Sequence, residues 1–263
     1  MKSMGRCLGL LLCWPLVAGA ADPALAPTLD DIERCMRANI PPSVRIQTIE
    51  VTAWDRVGGE RTLKGKLFGT REKERVRVMM RIEGPNDLKG AAYLVREGEK
   101  SDEMYLYLPA VQKVRRITGG QLDGQLWGTD LSYNDLKQLQ NAFSGSQVTL
   151  EPQPEPYEGR AVHALSFTPR VEDGSRYRTV RTLVDKTTCV ALKVEFTEPA
   201  GIRKVMTVKP SDLKQDDSHW YASKAEVRDV KNGTRTRVAV TGVSTGDKLA
   251  GRYFSPQSFY LGN

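Results

Sequence analysis

An alternation of apolar and polar residues, repeated along most of the chain, limits what it can fold into. Val76, Val78, Met80 and Ile82 alternate with Arg77, Met79 and Arg81. Val190, Leu192, Val194 and Phe196 alternate with Ala191, Lys193 and Glu195, and Met104, Leu106 and Leu108 alternate with Tyr105 and Tyr107. A period of two puts one face of each strand in a core and the other in water. One-sided strands of this kind belong to antiparallel sheet rather than to doubly covered parallel sheet. The turn signals agree. Gly58-Gly59, Glu158-Gly159, Asp173-Gly174 and Pro199-Ala200-Gly201 separate strand patterns, and Asn232-Gly233 suits a type I′ hairpin. The same turn accounts for the glycosylation sequon Asn232-Gly233-Thr234. These signals predict about ten or eleven strands. No internal repeat and no long linker divides them.

Two helical patterns interrupt the strands. Thr28 can cap a helix with Asp30 and Asp31 in its first turn, running to about Asn39 before Pro41-Pro42 stops it. Leu29, Ile32 and Met36 form its narrow apolar face, with Cys35 beside them. The second pattern runs from Tyr133 to Phe143 behind a cap at Asp130 or Ser132, with Leu131, Leu136, Leu139 and Phe143 on its apolar side. The loop before it carries Gly119-Gly120 and Gly124 together with Leu122, Leu126 and Trp127. Large apolar side chains in a loop point to a segment that covers or binds something. For Leu122, Leu126 and Trp127 two readings stand: lid or cargo contact, and a satellite cluster beneath a long loop. For Leu131, Tyr133 and Leu136 they are cargo contact and helix-on-sheet packing. Asp130 and Asp135 read as cap and helix-start charges. Arg115 and Arg116 read as their ion-pair partners, or as partners of lipid headgroups or acidic groups on another protein.

The N-terminus sets the compartment. Lys2 and Arg6 precede the apolar run Leu8–Val17, and Ala18-Gly19-Ala20 is a small-residue cleavage signal. Residues 1–21 therefore read as a cleaved signal peptide, too short to span a bilayer. Cys7 and Cys13 lie inside it without a lipobox, so no lipid anchor is expected. The expected product is soluble and periplasmic, one domain over residues 22–263. Thirty-nine basic residues oppose 32 acidic ones; Lys2 and Arg6 leave with the signal, so the net charge falls from +7 to +5. The charge is well mixed and there is no basic tail, so nucleic acid is excluded as partner, while anionic headgroups remain. Cys35 and Cys189 survive processing. In an oxidising compartment such a pair reads as a structural disulfide, with free thiols or a redox pair as alternatives.

Catalytic patterns are missing. His163 lies within a strand pattern and His219 precedes Trp220-Tyr221; neither belongs to a zinc motif, and there is no nucleophile elbow or nucleotide loop. No catalytic residue, metal or cofactor is assigned, and the chain reads as a non-enzyme.

The run Leu106-Tyr107-Leu108-Pro109, then Lys113-Val114-Arg115-Arg116-Ile117, then Gly128-Thr129-Asp130-Leu131-Ser132-Tyr133-Asn134-Asp135-Leu136, resembles the LolA-like outer-membrane lipoprotein-sorting proteins. The likeness is to their longer periplasmic branch, associated with membrane exporters. Cys35-Met36-Arg37-Ala38-Asn39 and Val184-Asp185-Lys186-Thr187-Thr188-Cys189 are similar to the same branch. Residue patterns alone leave half-barrel and sandwich open. The resemblance implies a mainly β fold: an antiparallel sheet curled into an unclosed half β-barrel covered by short helices. It also implies a monomeric carrier of lipid or lipoprotein acyl chains, with an inner-membrane exporter and an outer-membrane acceptor as partners. An accessory subunit docking on an exporter without carrying lipid is the alternative. The arginine that helps govern cargo release in the shorter members has no specific match here.

Overall fold

The computed structural model describes residues 27–98, 102–140, 147–169, 174–246 and 250–261. Residues 1–21, read as a signal peptide, lie outside them. Strands β1 (Val44–Trp54), β2 (Glu60–Glu72), β3 (Arg75–Gly84), β4 (Ala92–Arg96), β5 (Glu103–Leu108) and β6 (Lys113–Arg116) follow one another to one edge of a large antiparallel sheet. β7 (Gln147–Glu151) forms the opposite edge. From it β8 (Val162–Thr168), β9 (Thr179–Asp185), β10 (Ala191–Glu198) and β11 (Gly201–Thr207) run inward. A separate hairpin, β12 (Leu213–Asp216) and β13 (His219–Ala222), then intervenes before β14 (Lys224–Asp229) and β15 (Thr234–Gly246) rejoin the sheet. β15 pairs with β1 from Val44↔Gly246 to Trp54↔Arg235, so the two halves meet at a central seam. The 13-stranded sheet curls without closing into a barrel. The strands beyond the expected ten or eleven are mostly short; β6, β12 and β13 have four residues each, too few for alternation to stand out.

The expectation of a wet outer face fails for β2–β5. Their concave face carries Leu63, Ile82, Tyr93 and Met104, as the alternation requires. Their convex face is also dry. Met79, read as solvent-facing, is fully buried with Phe68 and Leu94 beneath Tyr253, Phe254 and Phe259. That cover comes from α3 (Ala250–Tyr253) and the turns after it. The Arg81 guanidinium donates to the carbonyls of Phe259 and Leu261 at 2.9 and 2.8 Å. Tyr107 stacks on Tyr260 with ring centroids 4.3 Å apart.

α1 (Leu29–Ala38) closes one end of the half-barrel. Thr28 and Asp31 form a capping box, and Ile32 packs with Leu165 and Val184. The helix ties both halves together. Cys35 is bonded to Cys189 in the β9–β10 turn, with Cα atoms 5.7 Å apart, while Arg37 donates two bonds to Glu97 beyond β4, at 2.8 and 2.6 Å. Asn39 donates to the Thr188 carbonyl and accepts from the Trp220 amide, which adds the β12–β13 hairpin to the same end.

The β14–β15 turn is not the two-residue type I′ loop that Asn232-Gly233 suggests. Asp229 pairs with Thr234, leaving a four-residue loop in which Gly233 has φ +67°. The buried Asp229 carboxylate organises it, accepting from the Asn232 amide at 2.8 Å and from Arg203 at 2.6 Å.

Candidate functional site

β6 and β7 lie on opposite edges, and the described part of the connection between them forms a strap packed over the concave face. That connection holds the apolar loop and α2 (Tyr133–Gln140). Ile117, Leu122, Leu126, Trp127 and Tyr133 are buried, and they share one cluster with Ile49, Val51, Leu63, Ile82, Tyr93 and Val95 of the concave face. Leu136 packs against this cluster, and the Tyr93 and Tyr133 rings lie 5.2 Å apart. Leu131 is buried as well. The Leu139 side chain and Phe143 lie outside the described residues. The loop is tightly formed. Trp127 holds φ +52°, a left-handed conformation that costs a bulky side chain energy, followed by Gly128 at φ +78°. A Cβ on Gly124 would stand 3.1 Å from the Gln121 carbonyl oxygen and 3.2 Å from the Tyr133 ring, so this glycine permits the close turn.

The far end of the segment is held by charge rather than apolar contact. Ser132 Oγ accepts from the Asp135 amide at 3.1 Å, and Asp135 returns a bond from the Ser132 amide at 2.7 Å, a reciprocal cap for α2. Asp135 is fully buried, yet its carboxylate has two more partners. Lys204 Nζ of β11 stands 2.6 Å from Oδ2, and the Tyr177 hydroxyl donates to Oδ1 at 2.5 Å. Lys204 also donates to the Asp130 carbonyl at 2.6 Å. The Asp130 carboxylate accepts from the hydroxyls of Thr234 and Thr236 on β15. Burial and the Asp135 charge push the Tyr177 phenol well above its ordinary value, so it remains a donor. Outside this knot, Asp123 pairs with Arg176 at 3.0 Å.

Asp130 and Asp135 thus serve as more than helix-start charges: they fasten the segment to the C-terminal half of the sheet. The expected pairing with Arg115 and Arg116 is absent. Both arginines sit on the exposed edge strand β6, and Arg116 lies 4.0 Å from Glu103. Their place is taken by Lys204, which a pattern reading misses because a lone lysine in a strand reads as solvated. Tyr177, Thr234 and Thr236 carry no local signal either. His163 is half-buried on β8 and His219 begins β13. Among the described residues no group of His, Cys, Asp and Glu is arranged to hold a metal ion, and no helix is long and apolar enough to cross a membrane.

At the end away from α1, a cleft of about 380 Å³ opens between the strap and the strand tips, bordered by Ala53, Arg61, Gln125, Gly128, Asp130 and Thr234. The site is therefore an apolar concavity filled by its own cover, with a polar fastening along one side and a cleft at one end.

A family model described as uncharacterized-protein-like matches residues 74–260. No curated protein matches the chain. A Vibrio parahaemolyticus domain named for outer membrane lipoprotein sorting is 22% identical, with 86% of this chain and 95% of that one covered at a TM-score of 0.73. A DUF1329 family protein from Desulfovibrio piger is also 22% identical over 86% and 95%, at a TM-score of 0.76. A LolA superfamily protein from Nitrosomonas europaea is 15% identical over 90% and 100%, at a TM-score of 0.68. At these identities the likeness is one of fold.

Proposed function

The chain belongs to the uncharacterized-protein-like family whose model matches residues 74–260, its own fold is LolA-like, and from this we propose that it is a periplasmic carrier of acyl chains. On this reading residues 1–21 are a cleaved signal and residues 22–263 form one carrier domain. The cargo is a lipid or lipidated protein, received at the inner membrane and moved toward the outer one, with no catalytic step.

The observation that carries the reading is the apolar concave face covered by an apolar strap. Leu122, Leu126 and Trp127 occupy the space a cargo chain would take against Leu63, Ile82 and Tyr93. An acyl chain of about sixteen carbons loses roughly 10–13 kcal/mol of unfavourable hydration on burial, so it cannot cross water unaided at useful rates. Lifting the strap exposes the concave wall and the strap's own side chains, and a cargo chain covers both again. The exchange is thus close to balanced in apolar area, which suits a carrier that both loads and unloads. Mass spectrometry of lipid extracted from native protein should find about one acyl cargo per chain, and purified empty protein should take up a fluorescent palmitoyl phospholipid. Protein that is empty in the cell and takes up no probe would rule the carrier out.

The exposed β6 edge favours a second reading, an exporter accessory that carries no lipid. Lys113, Val114, Arg115 and Arg116 are all exposed on a strand with one unpaired side. Co-purification with an exporter, lost on Arg115→Glu/Arg116→Glu while lipid uptake is nil, would select it.

A further inference from the structure

Three neighbouring hairpins turn at the end of the half-barrel away from α1: β1–β2, β14–β15 and β10–β11. Each presents a large aliphatic side chain to water. Val57 is 87% exposed, Val230 58% and Ile202 47%, the three most exposed large hydrophobics among the described residues. Val57 and Val230 stand in their turns and Ile202 is the second residue of β11; exposed aliphatics gathered at one end in this way are costly in a protein that meets only water, and together they mark a contact surface. The first two tips lie side by side: a Cβ on Gly233 would come within 3.8 Å of the Arg56 side chain.

The charges at this apex are sorted. Its carboxylates are engaged by neighbouring donors, although Asp55 and Glu60 stay exposed; Glu60 accepts from the Trp54 indole at 2.9 Å. Asp55 accepts the amides of Val57 and Gly59 at 2.9 and 2.7 Å, and Asp229 is buried against Arg203 and Asn232. Glu198 lies between Arg176 and Arg203, at 3.5 and 3.9 Å. Arg56 and Lys231, one on each of the first two tips, are exposed and have no acidic partner among the described residues. Engaged acids, unengaged cations and projecting aliphatic tips are complementary to one kind of surface, an anionic lipid interface. The cleft between strap and strand tips opens at this same end, while α1 and the β12–β13 hairpin occupy the other.

We propose that the hairpin apex seats on an anionic bilayer, with Val57, Val230 and Ile202 entering the interfacial layer and Arg56 and Lys231 facing the headgroups. The contact places the cleft, and the adjoining corner of the strap, against the membrane. It goes beyond the carrier reading and holds whether or not the strap admits an acyl chain.

Vesicle co-sedimentation of the purified protein tests it, using phosphatidylglycerol–phosphatidylcholine and pure phosphatidylcholine vesicles. Binding is expected to the anionic vesicles and to weaken as salt rises. Each cation near such a surface is worth on the order of fivefold in partitioning, so Arg56→Gln/Lys231→Gln should weaken binding roughly 20- to 30-fold. Val57→Ser/Val230→Ser should weaken it at both low and high salt. All four positions are exposed, and an unchanged circular dichroism melt verifies that each variant is folded. Leu150→Ser/Lys214→Gln, away from the apex, should bind like the parent. Absence of binding to anionic vesicles overturns the proposal, as does equal loss in the distant control. Concentration-dependent dimerisation abolished by Val57→Ser/Val230→Ser, without vesicle binding, would assign the apex to a second copy of the chain instead. Palmitoyl-probe uptake is scored separately, so failure of the apex and failure of the carrier reading are distinguishable.

Discussion

Lys204 ties the strap to β11 through one ammonium group, which meets both the Asp130 carbonyl and the Asp135 carboxylate in a dry setting. Removing one member of such a pair leaves an uncompensated buried charge, so Lys204→Met or Asp135→Asn should cost about 3–5 kcal/mol in urea unfolding. Lys204→Met/Asp135→Leu should recover much of that loss while the strap stays unfastened on its charged side. Hydrogen exchange over residues 118–136 would detect the release as faster opening. A different carboxylate governs acid stability. Burial alone would raise the pKa of Asp185, but Arg160 and the Thr188 and Thr187 donors outweigh it and hold it below its ordinary value. A depressed folded-state pKa stabilises the fold fully above the unfolded value of about 3.9 and loses that contribution as pH falls through the depressed one. Asp185→Asn should cost about 1.5–3 kcal/mol at neutral pH and flatten the acid limb of a stability-versus-pH curve.

At the scale of elements, α1 and the segment after residue 249 are covers whose removal is expected to be costly for different reasons. α1 is short, and its hold on the sheet rests on Ile32, Arg37 and the bond to Cys189. That bond spans 154 residues of sequence, so loop-closure entropy allows about 5 kcal/mol as an upper figure. Cys35→Ser/Cys189→Ser should lower the melting temperature, and the parent should show the same drop under reductant. Phe254 and Phe259 act through area: each is buried on the convex face, and Phe254→Ala or Phe259→Ala should cost about 3–5 kcal/mol by thermal or urea unfolding. These two elements also show what the sequence makes legible. α1 announces itself through Thr28, its acidic first turn and Pro41-Pro42. The C-terminal cover does not, because Tyr253, Phe254, Phe259 and Tyr260 follow no helical or strand period, and the surface they bury reads as an ordinary wet face until Met79 is seen under them. The strap's apolar residues are legible because a loop lacks a reason to carry them. Lys204 stayed hidden because its role depends on a partner about 70 positions away that only the folded sheet brings near.

For the whole molecule, the sheet is two runs of sequential hairpins joined between β1 and β15. Within each run, pairing is local and closes small loops; across the seam, Val44 meets Gly246 far along the chain. A chain synthesised N-terminus first can therefore form β1–β6 while the free side of β1 waits for its neighbour. During that interval the half-sheet presents an eleven-residue strand with unpaired amides and carbonyls, the geometry that recruits strands from other chains. Slowing the delivery of β15 should thus raise aggregation more than slowing any other strand. On this topology the exposed side of β1 is a vulnerability of the chain's birth, and it vanishes once β15 seals the seam.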